Sequence, residues 1–304
     1  MTKNELPLIE DWIKYHGHLF SFENLFIIDR STDQQVLNIY QKYENSGINV
    51  ITTNANLNRL ATEITSIMHR HKGRNSFLIK LDTDEFLAYR KSDDGGEFAN
   101  HDITSILNSL PVTGQKYKAS YTARSVPQTQ SFTRPCTELT TFAAPSQTEE
   151  KSFFHCDSFI SIDLGCHRGK TSNDEGFIPT TLTTIHFHSI NLADCLRRAR
   201  QVLVSHGYID EGDDRDEELT KIRALLHRVR RVTPQGVEYH ASSFHKVLFY
   251  LEQLSSDPGD EKLVDTRFNN FVNDTMGVKN SSQLMLVRDT LLKLDEDYSK
   301  EPYP

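Results

Sequence analysis

No run in the 304-residue sequence approaches the roughly 20 apolar residues needed to cross a bilayer. The amino terminus is polar and passes directly into an amphipathic segment, so no signal peptide is expected. Cysteine is scarce: Cys136, Cys156, Cys166 and Cys195 form no C-x-x-C pair, which excludes a zinc ribbon and a thioredoxin-like site. Free thiols in a reducing cytosol are the expectation. There is no G-x-S-x-G, no G-x-G-x-x-G and no Walker loop. Basic charge is also short. A formal net charge of −8 argues against a chain whose main task is gripping nucleic acid. Internal repeats and long low-complexity linkers are absent as well.

What is present is an ordinary globular composition, 37% hydrophobic and 25% charged. Ile9, Trp12, Ile13 and His16 fall on one helical face, with Pro7 at its start. Leu25–Ile28 reads as a buried strand ending in the polar loop Asp29–Asp33. Residues 34–45 read as a helix with Asp33 as its cap, 48–52 as a strand and 57–71 as a helix. Phe77–Leu81 is a third buried strand, ending in Asp82-Thr83-Asp84-Glu85. Strand and helix in alternation predict a parallel α/β sheet, whose ligands bind at the carboxyl ends of the strands. Further strands are expected at 116–123, 153–164 and 180–188. Helices are expected at 192–206, 244–254 and 281–294. The expected division is a catalytic domain over 1–190 and a helical C-terminal region over 191–304 packed on it.

The two acidic loops carry the chemistry. Paired carboxylates such as Asp82 and Asp84 hold a divalent cation, Mg²⁺ or Mn²⁺, which bridges a nucleotide diphosphate. Read alone, the tripeptide is more often a solvated turn. Its close setting between two apolar segments favours a site. Asp29 ends the earlier strand by the same logic, where its carboxylate accepts from a nucleobase imide or a ribose hydroxyl.

Asn4-Glu5 before a helix, Asp29-x-Ser31-x-Asp33 after a strand, and Leu81-Asp82-x-Asp84-Glu85-Phe86 together resemble the GT-A nucleotide-sugar glycosyltransferases of the family-2-like branch. The resemblance covers residues 4–90 and, more loosely, 150–200. It implies a Rossmann-like, mostly parallel sheet flanked by helices, and transfer of a hexosyl or pentosyl group from a UDP-linked donor to a carbohydrate or other hydroxyl acceptor. It places Asn4, Glu5, Asp29, Asp82 and Lys170 at the nucleotide, and Asp82, Asp84, His186 and His188 at a Mn²⁺ or Mg²⁺ ion. His186 and His188 share a face because strand residues alternate. His167 is a third histidine candidate, and Arg168 and Lys170 are suited to phosphate. A cytoplasmic enzyme of polysaccharide, capsule or glycoprotein glycan synthesis follows, free or docked at a membrane surface.

The sequence departs from that pattern in three places. Arg30 stands where asparagine is usual. Only Met1–Lys3 precede Asn4, where a first strand is normal. No motif marks the general base that an inverting enzyme needs to deprotonate its acceptor. Asp157 and Asp163 are the candidates, with Asp174 and Glu175 nearby. Three alternatives stand beside this reading. One is a non-catalytic nucleotide-sugar or glycan-binding module of the same fold. Another is a sugar nucleotidyltransferase, disfavoured by the lack of a Gly-rich basic loop near the amino terminus. The last is a structural zinc site built from His155-Cys156 and Cys166-His167. Outside this region, Ser242 or Ser243 is a helix-cap candidate and Lys246 a phosphate-facing one. The charged run from Asp210 to Arg231 reads as a solvated helix with i, i+4 pairs.

Overall fold

A computed structural model of the chain describes residues 2–55, 57–73, 77–91, 98–111, 116–126, 131–140, 142, 145, 147, 150–163, 165–173, 176–188, 190–239, 250–251, 254 and 285–300. In chain order the elements are α1 (Leu8–Phe20), β1 (Phe26–Asp29), α2 (Gln34–Glu44), β2 (Asn49–Thr52), α3 (Leu57–Arg70), β3 (Phe77–Ile79), β4 (Glu85–Arg90) and β5 (Phe98–Ala99). Then follow α4 (Ile103–Ser109), β6 (Lys116–Arg124), α5 (Pro135–Glu138), β7 (Lys151–His155), β8 (Phe159–Ile162), β9 (Gly169–Thr171) and β10 (Phe177–His186). The last are α6 (Leu192–Ser205), α7 (Arg215–Val229), β11 (Arg230–Thr233), β12 (Gly236–Tyr239) and α8 (Leu286–Lys300).

The helices form where periodicity demands. Val36, Tyr40 and Tyr43 make the buried stripe of α2, and Leu60, Ile64, Ile67 and Met68 that of α3. Asp33 caps α2, its carboxylate accepting from the Gln35 N–H at 2.8 Å. Asp214 and Glu217 close a capping box at the start of α7.

The fold is α/β with helices on the sheet and a helical C-terminal region, but the expected mostly parallel sheet is mixed. β1 pairs parallel with β2, and β6 with β10. The other pairs of the six-stranded sheet, in the order β3-β7-β6-β10-β4-β5, are antiparallel. Parallel neighbours need long crossovers, usually helical. α2 is such a crossover from β1 to β2, whereas the connection from β6 to its parallel neighbour β10 runs through the short α5 and the strands β7–β9. The stretch read as one strand over 153–164 is two, β7 and β8, broken by a turn at Cys156–Ser158.

The chain divides into two compact units. One comprises Met1–Ser125, Phe132–His188 and Lys279–Pro304; the other Val126–Ser131 and Ser189–Val278. The last helix, α8, thus belongs to the first unit. In the second unit Ala199, Leu203, Ile222 and Leu226 form a core. Buried Glu218 accepts there from Arg200 at 2.7 Å and from the Tyr250 hydroxyl at 2.5 Å. Among the described residues no helix is long and apolar enough to cross a membrane. Cys136, Cys156 and Cys166 are buried thiols outside any disulfide among the described residues.

Two features of the first unit stand out. Among the described residues, β4 between Glu85 and Leu87 has β10 as its strand partner, and β5 reaches just Tyr89 and Arg90. Side chains of α1 cover the other edge. The Trp12 indole N–H donates to the Glu85 carbonyl at 3.1 Å, the Tyr15 hydroxyl to the Leu87 carbonyl at 2.9 Å, and the Leu87 N–H donates to His16 Nε2 at 3.3 Å. The i, i+3, i+4 spacing of a helix thus satisfies backbone groups that a strand would otherwise take. The second feature is a cavity of about 600 Å³ lined by β1, β3, α1, α3 and α4.

Candidate functional site

The carboxyl end of β3 gathers charge. Lys80 and Lys151 both reach Asp82: Lys80 binds one carboxylate oxygen, and Lys151 Nζ lies 3.0 Å from the other. Lys151 Nζ is also 2.9 Å from Glu85, and the second Glu85 oxygen accepts the Asp82 N–H at 2.9 Å. Lys151 and Glu85 are almost fully buried, whereas the Asp82 side chain is 42% exposed. Burial opposes the charge on Asp82, but the two lysines outweigh it and hold this carboxyl well below its usual range. Burial and the neighbouring Asp82 charge push Glu85 up, against Lys151. On Lys151, burial is likewise outweighed, and its acid partners raise it.

Asp84 faces elsewhere. It is buried, and His186 Nε2 lies 3.3 Å from its carboxylate. His188 completes the group: the ligand atoms of Asp84, His186 and His188 all lie within 4.8 Å of one another. The β4–β10 pairing brings the segments together, and Asp84, in the turn before β4, lies outside the strand's alternation. His186 pairs with Glu85, and the Phe187 N–H continues the ladder by donating to the Asp84 carbonyl at 2.7 Å. Phe187 turns the other way and packs edge-on against Phe86 and Phe142. Alternation therefore leaves His186 and His188 side by side, with ring centroids 4.8 Å apart.

Asp29 sits at the end of β1, 2% exposed. Its carboxylate accepts from the Ser31 N–H at 3.0 Å, the Ser31 hydroxyl at 2.7 Å and the Tyr40 hydroxyl at 2.9 Å. Asn4 clamps the same loop, its side-chain oxygen accepting from the Thr32 and Asp33 N–H groups, each at 2.9 Å. Asn4 and Asp29 thus share one braced loop. Glu5 contributes its carbonyl to the first turn of α1, accepting from Ile9 N–H at 3.0 Å.

The remaining sequence candidates are dispersed. Asp157 is 79% exposed beside His155, past the end of β7. Lys151, at the other end of that strand, marks the Asp82 end, about 13 Å of extended chain away. Asp157 is thus not brought to Asp84. Asp163 closes the β8–β9 hairpin, accepting the Arg168 N–H at 2.7 Å. Lys170 and Arg168 are exposed, and His167 Nδ1 lies 2.9 Å from the Glu150 carbonyl. The four-residue zinc alternative is not assembled. His155, Cys156 and Asp157 form their own group within 4.8 Å, while the Cys166 backbone carbonyl accepts the Ser152 N–H beside Lys151. Asp174, Glu175, Ser242, Ser243 and Lys246 lie outside the described residues. Reading the sequence missed Lys80, Lys151 and the role of Glu85. Lys80, a charge inside an apolar run, was the visible signal.

No family model matches the chain, and no curated protein matches it. Among solved structures, S. aureus TarS 1-349 aligns with 98% of this chain and 89% of its own, at 11% identity and a TM-score of 0.33. A longer S. aureus TarS structure aligns over 95% and 54%, at 12% identity and a TM-score of 0.33. TarS 1-349 in complex with UDP aligns over 90% and 81%, at 10% identity and a TM-score of 0.26. At these scores the likeness carries no argument, and the functional reading rests on the chain's own residues.

Proposed function

We propose that the chain is a metal-dependent glycosyltransferase that moves a sugar from a nucleotide-diphosphate donor, UDP-linked by preference, to a glycan or other hydroxyl acceptor. The observation that carries this reading is the group Asp84, His186 and His188 at the carboxyl end of a buried strand. One carboxylate and two imidazoles make a fitting donor set for a divalent ion with positions left open. Two nitrogen ligands favour Mn²⁺ over Mg²⁺, which prefers oxygen. When bound, such an ion neutralises charge on the departing diphosphate.

The chain's own residues divide the remaining work. Asp84, His186 and His188 hold the ion. Asp82, fixed by Lys80 and Lys151, keeps its exposed edge toward the ribose and diphosphate, and the two lysines lower the cost of bringing phosphate close. The loop braced by Asn4, Ser31 and Tyr40 presents the base-reading segment that Asp29 anchors. A second reading, a binding module without transfer activity, draws support from the placement of Asp157 away from Asp84 and of Asp163 in a hairpin turn.

The test is calorimetric titration of UDP, GDP, dTDP and CMP, each with Mn²⁺ and with EDTA, on the unaltered chain and on Asp84→Ala. One diphosphate binding only with metal, and lost in Asp84→Ala while the far-UV spectrum is unchanged, is the expected result. Nucleotide binding by Asp84→Ala with unchanged metal dependence overturns the site. Metal-dependent binding with no turnover of the matching nucleotide-sugar across an acceptor panel selects the second reading.

A further inference from the structure

β6 and β10 run parallel, so their carboxyl ends reach the same edge of the sheet. β4 runs the other way beside β10 and begins there, which sets Asp84 at that edge too. The strand order puts His186 between Asp84 on the β4 side and the end of β6 on the other. The residue of β6 opposite His186 is Arg124, and the ladder holds around it: the Ser125 N–H donates to the His186 carbonyl at 2.8 Å. The face on which Arg124 leaves the sheet is set two residues earlier. Thr122 and Thr184 are paired, and their hydroxyl oxygens lie 2.9 Å apart. Alternation carries that face from Thr122 to Arg124 and from Thr184 to His186. Neighbouring strands are about 4.8 Å apart, so a half-buried guanidinium on its methylene stem is within reach of an anion held at Asp84, His186 and His188.

We propose that Arg124 binds the terminal phosphate of the nucleotide diphosphate beside the metal group, and so makes the site select a diphosphate over a monophosphate. The inference rests on the metal-dependent nucleotide-sugar reading and adds a specificity-determining residue to it. Charge supplies the need. A divalent ion held by one carboxylate and two neutral imidazoles keeps a single net positive charge, less than the negative charge a diphosphate brings. Lys80 and Lys151 are matched by Asp82 and Glu85. Arg124 adds a cation on the far side of His186 from Asp84. Its planar fork bonds two phosphate oxygens at once, which a point charge does not. A diphosphate thus spans the ion and the guanidinium, whereas a monophosphate fills only one of the two places.

The test is calorimetric titration of UDP, UMP and inorganic pyrophosphate, each with Mn²⁺, on the unaltered chain, Arg124→Met and Arg124→Lys. Mn²⁺ alone is titrated by electron paramagnetic resonance. Arg124→Met is expected to bind UDP and pyrophosphate roughly 10- to 100-fold more weakly, the loss of one charged hydrogen-bonded contact, with UMP nearly unchanged. Mn²⁺ alone should bind at least as tightly, because a neighbouring cation has been removed. Arg124→Lys keeps the charge without the fork and should recover part of the loss. Equal losses for UDP and UMP overturn the assignment. Weaker binding of Mn²⁺ alone by Arg124→Met also overturns it, because the arginine then only shapes the metal group. If the unaltered chain binds neither UDP nor pyrophosphate with Mn²⁺, the underlying reading falls and this inference with it. If the unaltered chain and Arg124→Met bind both equally well, this inference falls alone.

Discussion

His16 gives the sharpest test of how α1 is fixed to the sheet. It is 1% exposed, and its ring is committed at both nitrogens. Nδ1 lies 3.0 Å from the Trp12 carbonyl and Nε2 accepts the Leu87 N–H, so one neutral tautomer fits. A second proton would set two N–H groups against each other. Burial, opposed only by the Trp12 carbonyl, pushes the imidazole down to about 3. The unfolded chain takes up that proton near pH 6.5, so stability is full above 6.5 and lost as pH falls toward 3. Between pH 7 and 4.5 this one residue removes about 2 to 3 kcal/mol. In His16→Leu the Leu87 N–H loses its acceptor, which costs about 1–3 kcal/mol at neutral pH, but the acid-side loss disappears. Trp12 is the only tryptophan, and its ring centroid is 4.5 Å from that of His16, so its fluorescence reports the site during urea unfolding. The other titrating groups affect both proteins alike, so the difference between them isolates His16. The stability curves should converge below pH 6.5; curves that stay parallel from pH 7 to 4.5 refute a buried neutral His16.

Lys151→Met leaves Glu85 buried without its counter-charge and should cost about 3–5 kcal/mol in urea unfolding, and a loss below 1 kcal/mol refutes the pairing. Arg134→Ala breaks the bond to Asp11, whose oxygen lies 2.6 Å from the guanidinium, and the link to Asp295 on α8. Burial already pushes Asp11 up, with Arg134 pulling it down. The expected loss is about 2–3 kcal/mol, reduced from the fully buried value because Arg134 is partly exposed. Asp11→Asn added to Arg134→Ala should recover part of it, and a double mutant that only worsens counts against the ion pair.

Much of the architecture was legible because it is local. The apolar stripes of α1, α2 and α3 are periodic in the sequence itself, and Asp33 announces its cap. β4 was not legible: all six of its residues are buried, so neither face alternates and Glu85–Arg90 carries no period to detect. The antiparallel pairings of β7 and β10 depend on contacts between distant segments, which no window of sequence displays. The same distinction separates the site residues. That His186 and His188 share a face follows from a period of 2, but their meeting with Asp84 depends on β10 pairing with β4 and on the turn that sets Asp84 just before that strand.

That arrangement also explains why two acids one residue apart end in different surroundings. Asp82 stands before the turn, at the end of β3, and β3 brings β7 alongside it with Lys151 at the facing end. Asp84 stands after the turn, on the step into β4, whose neighbour is β10. The motif thus straddles two strands with different partners, one contributing a lysine and the other two histidines. A pair of carboxylates on a single strand end would repel and share one environment. Split this way, one acid is neutralised by fixed cations of the protein, while the other has a donor set suited to a divalent ion. On the proposed reading, metal binding at Asp84 comes from what β10 supplies rather than from the tripeptide, and exchanging His186 or His188 should weaken Mn²⁺ binding while leaving the Asp82–Lys151 pair in place.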